Sequence, residues 1–275
     1  MRGDGGRVNP AGDRTRPEVA GFGRAAEAYE RARPDYPVTA VRHIARVFDL
    51  GPGRTVLDLG SGTGKFTRSL LSLGAAVVAI EPTRGMREVF ERTLSQVAVL
   101  DGTAEAMPIP DAFADAVVSA QAFHWFRPRP ALREIRRVLR PGGGLALVWN
   151  TRDDAVRWSR RLTEIVEARR GAAPVWREST ARGFRRIVLA REFSDRGSGF
   201  TRLRHRAFRH FQEGPPELFV ERTMSVSAIA ILPPAKRREV AREVRELLAT
   251  DPDTRGRRRI RLPYRTDVYW CRRVP

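Results

Sequence analysis

Cysteine and long apolar runs are both scarce in this sequence of 275 residues. Cys271, the one cysteine, cannot form an internal disulfide, and metal clusters built from cysteines are excluded with it. No apolar run approaches the roughly 20 residues that a membrane span requires. The N-terminal stretch lacks the apolar segment of a secretory signal. We therefore predict a flexible leader over residues 1–20, a cytoplasmic protein, no membrane partner and no bound metal.

Lysine is nearly absent, because only Lys65 and Lys236 among the 51 basic residues are lysines and the rest are arginines. The formal net charge of +19 would suit a nucleic-acid partner. However, the arginines are spread along the chain, whereas nucleic-acid footprints usually concentrate basic residues and interleave them with aromatic ones. Such arginine usage can also reflect GC-rich coding. The composition disfavours nucleic acid as a partner without excluding it.

Residues 51–150 alternate between short apolar segments and segments with helical spacing of apolar residues. This alternation predicts βαβ units and therefore a largely parallel sheet with helices on both faces. The predicted strands are 54–59, 76–81, 97–102, 113–120 and 145–150, and the predicted helices are 65–73, 85–94 and 129–143, the last broken by Pro141.

The flanking regions have a different rhythm. Before residue 51, the spacing predicts a short helix that ends at Pro34 and a second helix over 38–48. After residue 150, it predicts helices over 155–170, 216–232 and 235–250 and strands over 200–211 and 259–273; the segment 171–199 has no clear pattern. We accordingly divide the chain into the leader, a helical cap (21–50), a ligand-binding core (51–150) and a C-terminal half (151–275).

A glycine-rich loop, "DLGSGTGKF" over residues 58–66, joins the first predicted strand to a helix. A Walker P-loop is excluded, because Phe66 occupies the position that must be Ser or Thr to hold magnesium. The dinucleotide pattern G-x-G-x-x-G is excluded as well, because Lys65 occupies the third glycine position. The remaining pattern is a strand, Asp58, three glycines at alternate positions, and a helix.

Two carboxylates indicate the ligand of this loop. Asp58 would repel a pyrophosphate, but it suits the ammonium group of S-adenosylmethionine, which carries no phosphate. Glu81, at the end of the second strand, can accept hydrogen bonds from both ribose hydroxyls. Glycines would let the backbone approach the ligand without an intervening Cβ. The alternatives are a turn-capping role for Asp58 and a solvated strand end for Glu81.

The stretches "VLDLGSGTGKFT", "VVAIEPTRGM", "GTAEAMPIPD", "AQAFHWF" and "REIRRVLRPGGGLALVWN" together resemble the class I S-adenosylmethionine-dependent methyltransferases, specifically the type 11 methyltransferase-domain group. The resemblance covers residues 20–150. It implies a Rossmann-like α/β fold with a seven-stranded, mostly parallel sheet in the order 3-2-1-4-5-7-6. The last strand, "LPYRTDVYWCRR", would be antiparallel, and "FGRAAEAYERARPDYP" resembles the N-terminal cap that closes over the active site.

The resemblance also implies roles by position. Many relatives have an aspartate at the position of Thr103, so adenine selection through the Thr103 hydroxyl would depart from the family pattern. Tyr29 and Arg33, on the cap, would meet the cofactor carboxylate or the acceptor; the alternative is a surface role for both. The full set of predicted cofactor-binding residues is Tyr29, Arg33, Asp58, Gly60, Ser61, Gly62, Thr63, Gly64, Glu81 and Pro82, with Met86, Thr103, Ala104 and Glu105 near the adenine and Gln121 facing the methionine half.

His124 is the histidine placed for catalysis, because "AQAFHWF" follows the fourth strand at the ligand-binding edge of the sheet. It would act either as a general base or as a wall of the acceptor pocket, with Phe123, Trp125 and Tyr36. An Asn/Asp-Pro-Pro-aromatic loop, common in nucleic-acid N-methyltransferases of this fold, is missing here. We therefore expect methylation of a small molecule, such as a natural product or secondary metabolite. The alternatives are a cyclase-like scaffold or binding module and an RNA methyltransferase.

Overall fold

A seven-stranded sheet forms the centre of the computed structural model, which describes residues 26–27, 29–169, 189, 192–193 and 199–274. Its strand order is β3-β2-β1-β4-β5-β7-β6, as the resemblance implied. β7 lies between β5 and β6 and is antiparallel to both, while the other neighbouring strands pair in parallel. The strands are β1 (Thr55–Leu59), β2 (Ala76–Ile80), β3 (Val99–Leu100), β4 (Ala114–Ala120), β5 (Leu139–Arg152), β6 (Arg204–Gly214) and β7 (Ile260–Arg272).

Helices cover both faces of the sheet. They are α1 (Val38–Phe48), α2 (Lys65–Leu71), α3 (Arg84–Thr93), α4 (Pro128–Val138), α5 (Arg157–Glu167), α6 (Pro216–Met224), α7 (Ser227–Ala230) and α8 (Pro234–Thr250), with a 3-10 turn over Phe123–Trp125. None of the helices in the described ranges is long and apolar enough to cross a membrane. The predicted helix 38–48 is confirmed at both ends.

The core is divided by the sheet into two layers. Alternate residues of each strand point to opposite faces, so Val56 and Asp58 of β1 lie on one face and Leu57 and Leu59 on the other. The first face, which we call the α1 face, packs against α1, α2 and α3 through Ile44, Leu70, Phe90 and neighbours. The second, the α4 face, packs against α4. Burial of apolar residues on both faces explains why the central strands are almost continuously apolar.

The segment around Pro141 differs from its prediction. Helix α4 ends at Val138, not at residue 143, and Leu139 already has an extended backbone. A proline at 141 disfavours the α conformation of Arg140, so the helix stops before it. Residues 139–143 instead form an irregular start of β5, because Ala114 pairs with Leu139 but Ala116 pairs with Gly144. The predicted strand 97–102 is also shorter, reduced to β3.

The C-terminal half contributes both strands and helices. β6 and β7 extend the sheet, while α5, α6 and α8 pack together through a third apolar cluster that includes Trp158, Phe219 and Val244. Leu262 and Tyr264 of β7 belong to the same cluster. The predicted leader 1–20 and most of the segment 171–199 lie outside the described residues.

Candidate active site

The glycine loop leaves β1 with three left-handed residues, Gly60 (φ +71°), Gly62 (φ +58°) and Gly64 (φ +89°). A Cβ on Gly60 would lie 2.5 Å from the Ala122 Cβ, and one on Gly64 would lie 2.5 Å from Leu94 Cδ1. A Cβ on Gly62, in contrast, would have no described atom within 4 Å. Positive φ and protein packing thus already require glycine at positions 60 and 64, and the close approach of a ligand to the loop stays a prediction.

Glu81 connects the end of β2 to this loop. Its Oε2 accepts a hydrogen bond from the Gly62 backbone N–H at 3.0 Å, and its Oε1 accepts one from the Thr83 N–H at 2.9 Å. The side chain is 6% exposed, and burial raises the pKa of Glu81, against the opposing effect of these N–H groups. The carboxylate is thus held in a defined orientation, and each oxygen retains capacity to accept a further hydrogen bond.

Asp58 lies on the α1 face, fully buried at the carboxyl end of β1. Its Oδ2 accepts a hydrogen bond from Thr67 Oγ1 at 2.5 Å, whereas its Oδ1 has no partner in the described part of the chain. Burial raises the pKa of Asp58 to about 7, and the charge of Glu81 acts in the same direction. A cation placed beside Oδ1 would reverse this penalty by favouring the ionised form.

The loop thus fits a polar ligand. Ser61 Oγ, like Asp58 Oδ1, is buried without a hydrogen-bond partner among the described residues, and Gly62 borders open space. Buried polar atoms are almost always paired in folded proteins, so unpaired ones at a strand–loop–helix junction indicate a ligand-binding position. These observations agree with a ligand that offers an ammonium group and hydroxyls, as S-adenosylmethionine does.

Residues 26–27 and 29–37, which we call the N-terminal segment, cover the loop. Glu30 Oε2 accepts a hydrogen bond from Thr63 Oγ1 at 2.5 Å, and Glu30 Oε1 accepts one from Arg68 at 2.9 Å. Lys65 forms an ion pair with Asp35 at 3.1 Å. Because Thr63, Lys65 and Arg68 all belong to the loop or to α2, the segment is attached to the predicted cofactor site.

The same segment also reaches the C-terminal half. Arg33 donates a hydrogen bond to the Ser225 carbonyl at 3.0 Å, and Gln212 of β6 donates one to the Ala32 carbonyl at 2.8 Å. Asn150, at the end of β5, donates one to the Asp35 carbonyl at 3.2 Å. The N-terminal segment therefore spans the α1 face from the glycine loop to β6. It carries the predicted residues Tyr29, Arg33 and Tyr36.

The residues predicted near the adenine take different environments. Met86 is 4% exposed and packs with Ala26, Val89 and Tyr29 under the N-terminal segment, while Pro82 is half-buried after Glu81. Thr103 forms a turn with Ala106. Ala104 is 3% exposed in the α4-face core, so its side chain points away from the surface. Glu105 accepts a hydrogen bond from the Arg127 N–H at 2.7 Å and so binds the start of α4.

Gln121 follows β4 in a left-handed conformation, with φ +57°. Non-glycine residues rarely adopt this backbone, and such strain is concentrated at functional sites. Its N–H donates to the Val148 carbonyl at 2.8 Å, and its Nε2 donates to the Asn150 carbonyl at 2.7 Å. Since β1, β4 and β5 are parallel, Gln121, Asn150 and the glycine loop lie at the same edge of the sheet.

His124 is held by Trp149, whose indole N–H donates to His124 Nδ1 at 3.3 Å. An indole nitrogen can only donate, so the neutral imidazole carries its proton on Nε2 and its basic lone pair faces Trp149. This geometry favours the pocket-wall alternative over the general base. Trp125 packs against the His124 ring at a centroid distance of 5.1 Å. Phe123, expected in the pocket with Tyr36, is instead 2% exposed in the α4-face core, while Tyr36 contacts Phe66 of α2.

Glu30 and Asn150 are site residues that the sequence did not indicate. Glu30 lies in a charged helical stretch where a carboxylate is usually solvated, and its partner Thr63 is 33 positions away. Asn150 is 8% exposed, and its Oδ1 accepts a hydrogen bond from Thr266 Oγ1 at 2.6 Å. The sequence signal that could have identified Asn150 is its position as a polar residue at the end of an apolar predicted strand. In the described ranges, no group of three or more His, Cys, Asp or Glu side chains is arranged to hold a metal ion.

Known proteins resemble this chain in sequence and in fold. Residues 57–147 match the family described as "Methyltransferase domain". An uncharacterized methyltransferase of Mycobacterium tuberculosis is 40% identical over 245 residues, which cover 89% of this chain and 92% of that protein. A candidate methyltransferase from an antibiotic biosynthesis pathway of Anabaena variabilis has the same fold, with a TM-score of 0.60 at 21% identity, over 86% of this chain and 98% of that one.

A second solved structure has a related fold and contains a ligand. It is phosphoethanolamine N-methyltransferase 2 of Haemonchus contortus in complex with S-adenosyl-L-methionine, with a TM-score of 0.52 at 15% identity, over 96% of this chain and 59% of that one. The strand order, the glycine loop and the similarity to the M. tuberculosis relative all indicate the same family. The chain belongs to the class I S-adenosylmethionine-dependent methyltransferases.

Proposed function

We propose that this chain transfers the methyl group of S-adenosylmethionine to a small-molecule acceptor. The observation that carries the proposal is the Glu81 carboxylate, bonded to the Gly62 N–H across the ends of two neighbouring strands. When bound, S-adenosylmethionine supplies a methyl group activated by a sulfonium. Glu81 would accept hydrogen bonds from the ribose hydroxyls, and Asp58 would face the ammonium group through Oδ1. Gln121 would border the methionine half, and Met86 and Thr103 the adenine.

The cover over the site supports a small acceptor. Glu30 attaches the N-terminal segment to the glycine loop, while Arg33 and the Ala32 carbonyl attach it to α6 and β6. A site enclosed from several sides favours a small molecule over a polymer, and an enclosed site aligns the acceptor with the methyl group, which is the main source of rate in such displacements. Natural products and secondary metabolites are the acceptors that we expect.

The cofactor assignment is tested by replacing Glu81. Glu81→Ala should weaken S-adenosylhomocysteine binding by about 1.5–3 kcal/mol, because charge-assisted hydrogen bonds are lost. Titration calorimetry measures the change, and Glu88→Ala, which alters an exposed glutamate of α3, is the matched control. NADH and ATP should show no comparable binding. Unchanged affinity in Glu81→Ala, with the thermal stability of the free protein also unchanged, would contradict the assignment.

The reaction itself is tested with methyl-labelled S-adenosylmethionine. Label should pass into an ultrafiltrate of small metabolites, with stoichiometric release of S-adenosylhomocysteine. Label transferred mainly to RNA would favour the RNA alternative, which also predicts salt-dependent binding of random RNA. Conversion of an acceptor without S-adenosylhomocysteine release would favour the cyclase-like scaffold.

A further inference from the structure

Two arginines on the α1 face, the buried Arg222 and the half-buried Arg33, have no anionic partner among the described residues. Arg222, in the last turn of α6, is 8% exposed, and its Nε and Nη1 are buried without a hydrogen-bond partner in the described ranges. Arg33 donates through Nη2 to the Ser225 carbonyl, yet its Nε is also buried and unpaired. In the described part of the chain, no carboxylate forms a hydrogen bond or ion pair with either guanidinium. A buried unpaired charge is destabilising, so its presence requires an explanation.

Further unpaired polar groups lie beside these arginines. Tyr264 of β7 is 1% exposed, and its hydroxyl has no partner among the described residues. His210 of β6 is directly opposite Tyr264 and packs against its ring, and its Nε2 has no partner in the part of the chain that the structure describes. Gln212, two residues along β6, has a buried Oε1 that no described residue bonds. Directly opposed and alternate residues share a face of a sheet, so the three side chains lie together.

We call Arg33, Arg222, Tyr264, His210 and Gln212 the arginine cluster. The electrostatic potential at this cluster is positive. Burial lowers the pKa of Arg33 to about 10, and the charge of Arg222 contributes in the same direction. Burial lowers the pKa of His210 to about 4, so its ring is neutral at physiological pH. Arg152, opposite Tyr264 on β5, adds a further positive charge that acts on Arg33. The cluster therefore favours an anion.

The arginine cluster borders the predicted cofactor site. The charges of Asp58 and Arg33 both act on the pKa of Tyr36, although burial is the main cause of its increase. Tyr36 also packs against Phe66, at the start of α2, so the segment that carries Arg33 reaches the glycine loop. Arg152 and Gly214 end two strands that run in the same direction as β1, so the cluster also lies at the ligand-binding edge of the sheet.

We propose that the methyl acceptor is a small organic acid, whose carboxylate binds to the guanidinium groups of Arg222 and Arg33 and to the Tyr264 hydroxyl. This inference rests on the proposed function, since it names the acceptor class of the same site. Planar guanidinium groups suit the two oxygens of a carboxylate. Phosphate is disfavoured, because phosphate sites typically use helix N-termini or consecutive backbone N–H groups. The cluster is instead made of side chains and lies at the C-terminal end of α6.

The test measures thermal stability of the full chain, saturated with S-adenosylhomocysteine, during titration with acetate, succinate, citrate and benzoate. The neutral amide of each acid and inorganic phosphate are the comparison ligands. At least one acid should stabilise the protein where its amide and phosphate do not. Arg222→Gln should lower the affinity for that acid about ten- to hundred-fold, as expected for a lost charge-assisted hydrogen bond. Arg238→Gln, which removes an exposed arginine of α8, should leave the affinity unchanged.

Three results would overturn the inference. One is failure of all four acids to stabilise the protein, and another is stronger stabilisation by phosphate than by any acid. The third is an equal loss of S-adenosylhomocysteine affinity in Arg222→Gln and Arg33→Gln, which would assign Arg222 to the cofactor's own carboxylate. The same samples report S-adenosylhomocysteine binding, so a failed acid titration with intact cofactor binding leaves the proposed function standing.

A purely structural role for Arg222 makes a different prediction. If Arg222 served packing alone, Arg222→Met would lower the melting temperature of the free protein. We expect the melting temperature to stay the same or rise, because the substitution removes a buried, unpaired charge while keeping most of the side-chain volume. A large decrease in Arg222→Met, without any acid effect in the wild type, would contradict the inference.

Discussion

The glycine loop and the arginine cluster lie at the same edge of one sheet, but their polar groups are satisfied differently. In the loop, Glu81 accepts two backbone hydrogen bonds and Thr63 is bonded to Glu30, so only Asp58 Oδ1 and Ser61 Oγ of the loop are left unpaired among the described residues. In the cluster, Arg222, Tyr264 and His210 keep buried polar atoms without partners in the described structure. The carboxylate of the predicted cofactor site is therefore held in place by the protein itself. The acceptor side, in our proposal, is completed by the charge of its ligand.

The two regions also differ in how they are assembled along the chain. The loop and Glu81 come from about two dozen consecutive residues, whereas the cluster combines the N-terminal segment, α6, β6 and β7. Among proteins that share a fold, a local motif can stay constant while a site assembled from distant segments differs from one protein to the next. If our proposal holds, this difference teaches that the shared fold determines the cofactor and the elements added around it determine the acceptor.

The largest expected effect concerns packing of the loop. Gly64→Ala should lower the free energy of unfolding by about 2–4 kcal/mol, because its Cβ would collide with Leu94 and Phe90 and its φ is positive. Gly62→Ala is the matched variant, with positive φ but open space around the Cβ, and should lose about 1 kcal/mol. Urea denaturation measures both. Equal losses would show that packing does not pre-organise the loop.

The next effect concerns the buried carboxylate of Asp58. Its pKa of about 7 in the folded protein lies above the usual 3.8, so the folded state binds the proton more tightly than the unfolded chain. The free energy of unfolding should therefore fall as pH rises from about 4 to about 7, by up to about 1.4 kcal/mol per pH unit, and then level off. Asp58→Asn should abolish this decline in denaturation experiments without ligand.

Asp115→Asn provides the control for this pH dependence. Burial tends to raise the pKa of Asp115, but the Thr55 N–H and the charges of Arg140 and Arg54 lower it below its usual value. Its contribution is lost only as pH falls through that lowered pKa. The stability difference between wild type and Asp115→Asn should thus stay nearly constant over the same range. A parallel decline in wild type and Asp58→Asn would assign the pH dependence to other groups.

A smaller effect is expected at the contact between the N-terminal segment and the loop. Glu30→Gln weakens the interactions with Thr63 and Arg68, so S-adenosylhomocysteine affinity should fall by about 1 kcal/mol. Amide hydrogen exchange over residues 29–36 should be faster in the variant, and in the wild type it should slow when S-adenosylhomocysteine is added. Glu27→Gln, which alters an exposed pair with Arg92, is the control. Equal exchange with and without ligand would make the segment structural packing rather than a cover.

The smallest effect is expected at His124. His124→Phe should change turnover by less than about threefold, because the basic lone pair of the ring already accepts the Trp149 N–H and base catalysis would contribute about 10²–10⁴. The main change should be a higher KM for the acceptor, measured in steady-state assays. Loss of most turnover, together with loss of a pH-profile limb near 6.5, would restore the general-base role.

Much of the fold followed from local pattern. Apolar strands alternating with helices predicted the parallel sheet, and "DLGSGTGKF" with Glu81 indicated the cofactor, because backbone geometry and ligand contacts there are properties of neighbouring residues. Helix α1 was predicted to the residue, since its apolar spacing matches a helix covering one face of the sheet. The error at residues 139–143 has a local cause as well, because the predicted helix was extended past Val138 although Pro141 disfavours the α conformation of Arg140.

The sequence by itself determined the type of fold, the glycine loop and the class of cofactor, because each depends on contacts within one or two βα units. Only the tertiary structure decided which charged side chains are buried without an oppositely charged neighbour. Arg222 is one arginine among many in the sequence, and its burial follows from the packing of α6 against β7 and the N-terminal segment. The same holds for His124, whose lone pair is occupied by a tryptophan 25 residues away. Such pairings depend on distances between elements that are far apart in the chain, and residue spacing contains no information on those distances.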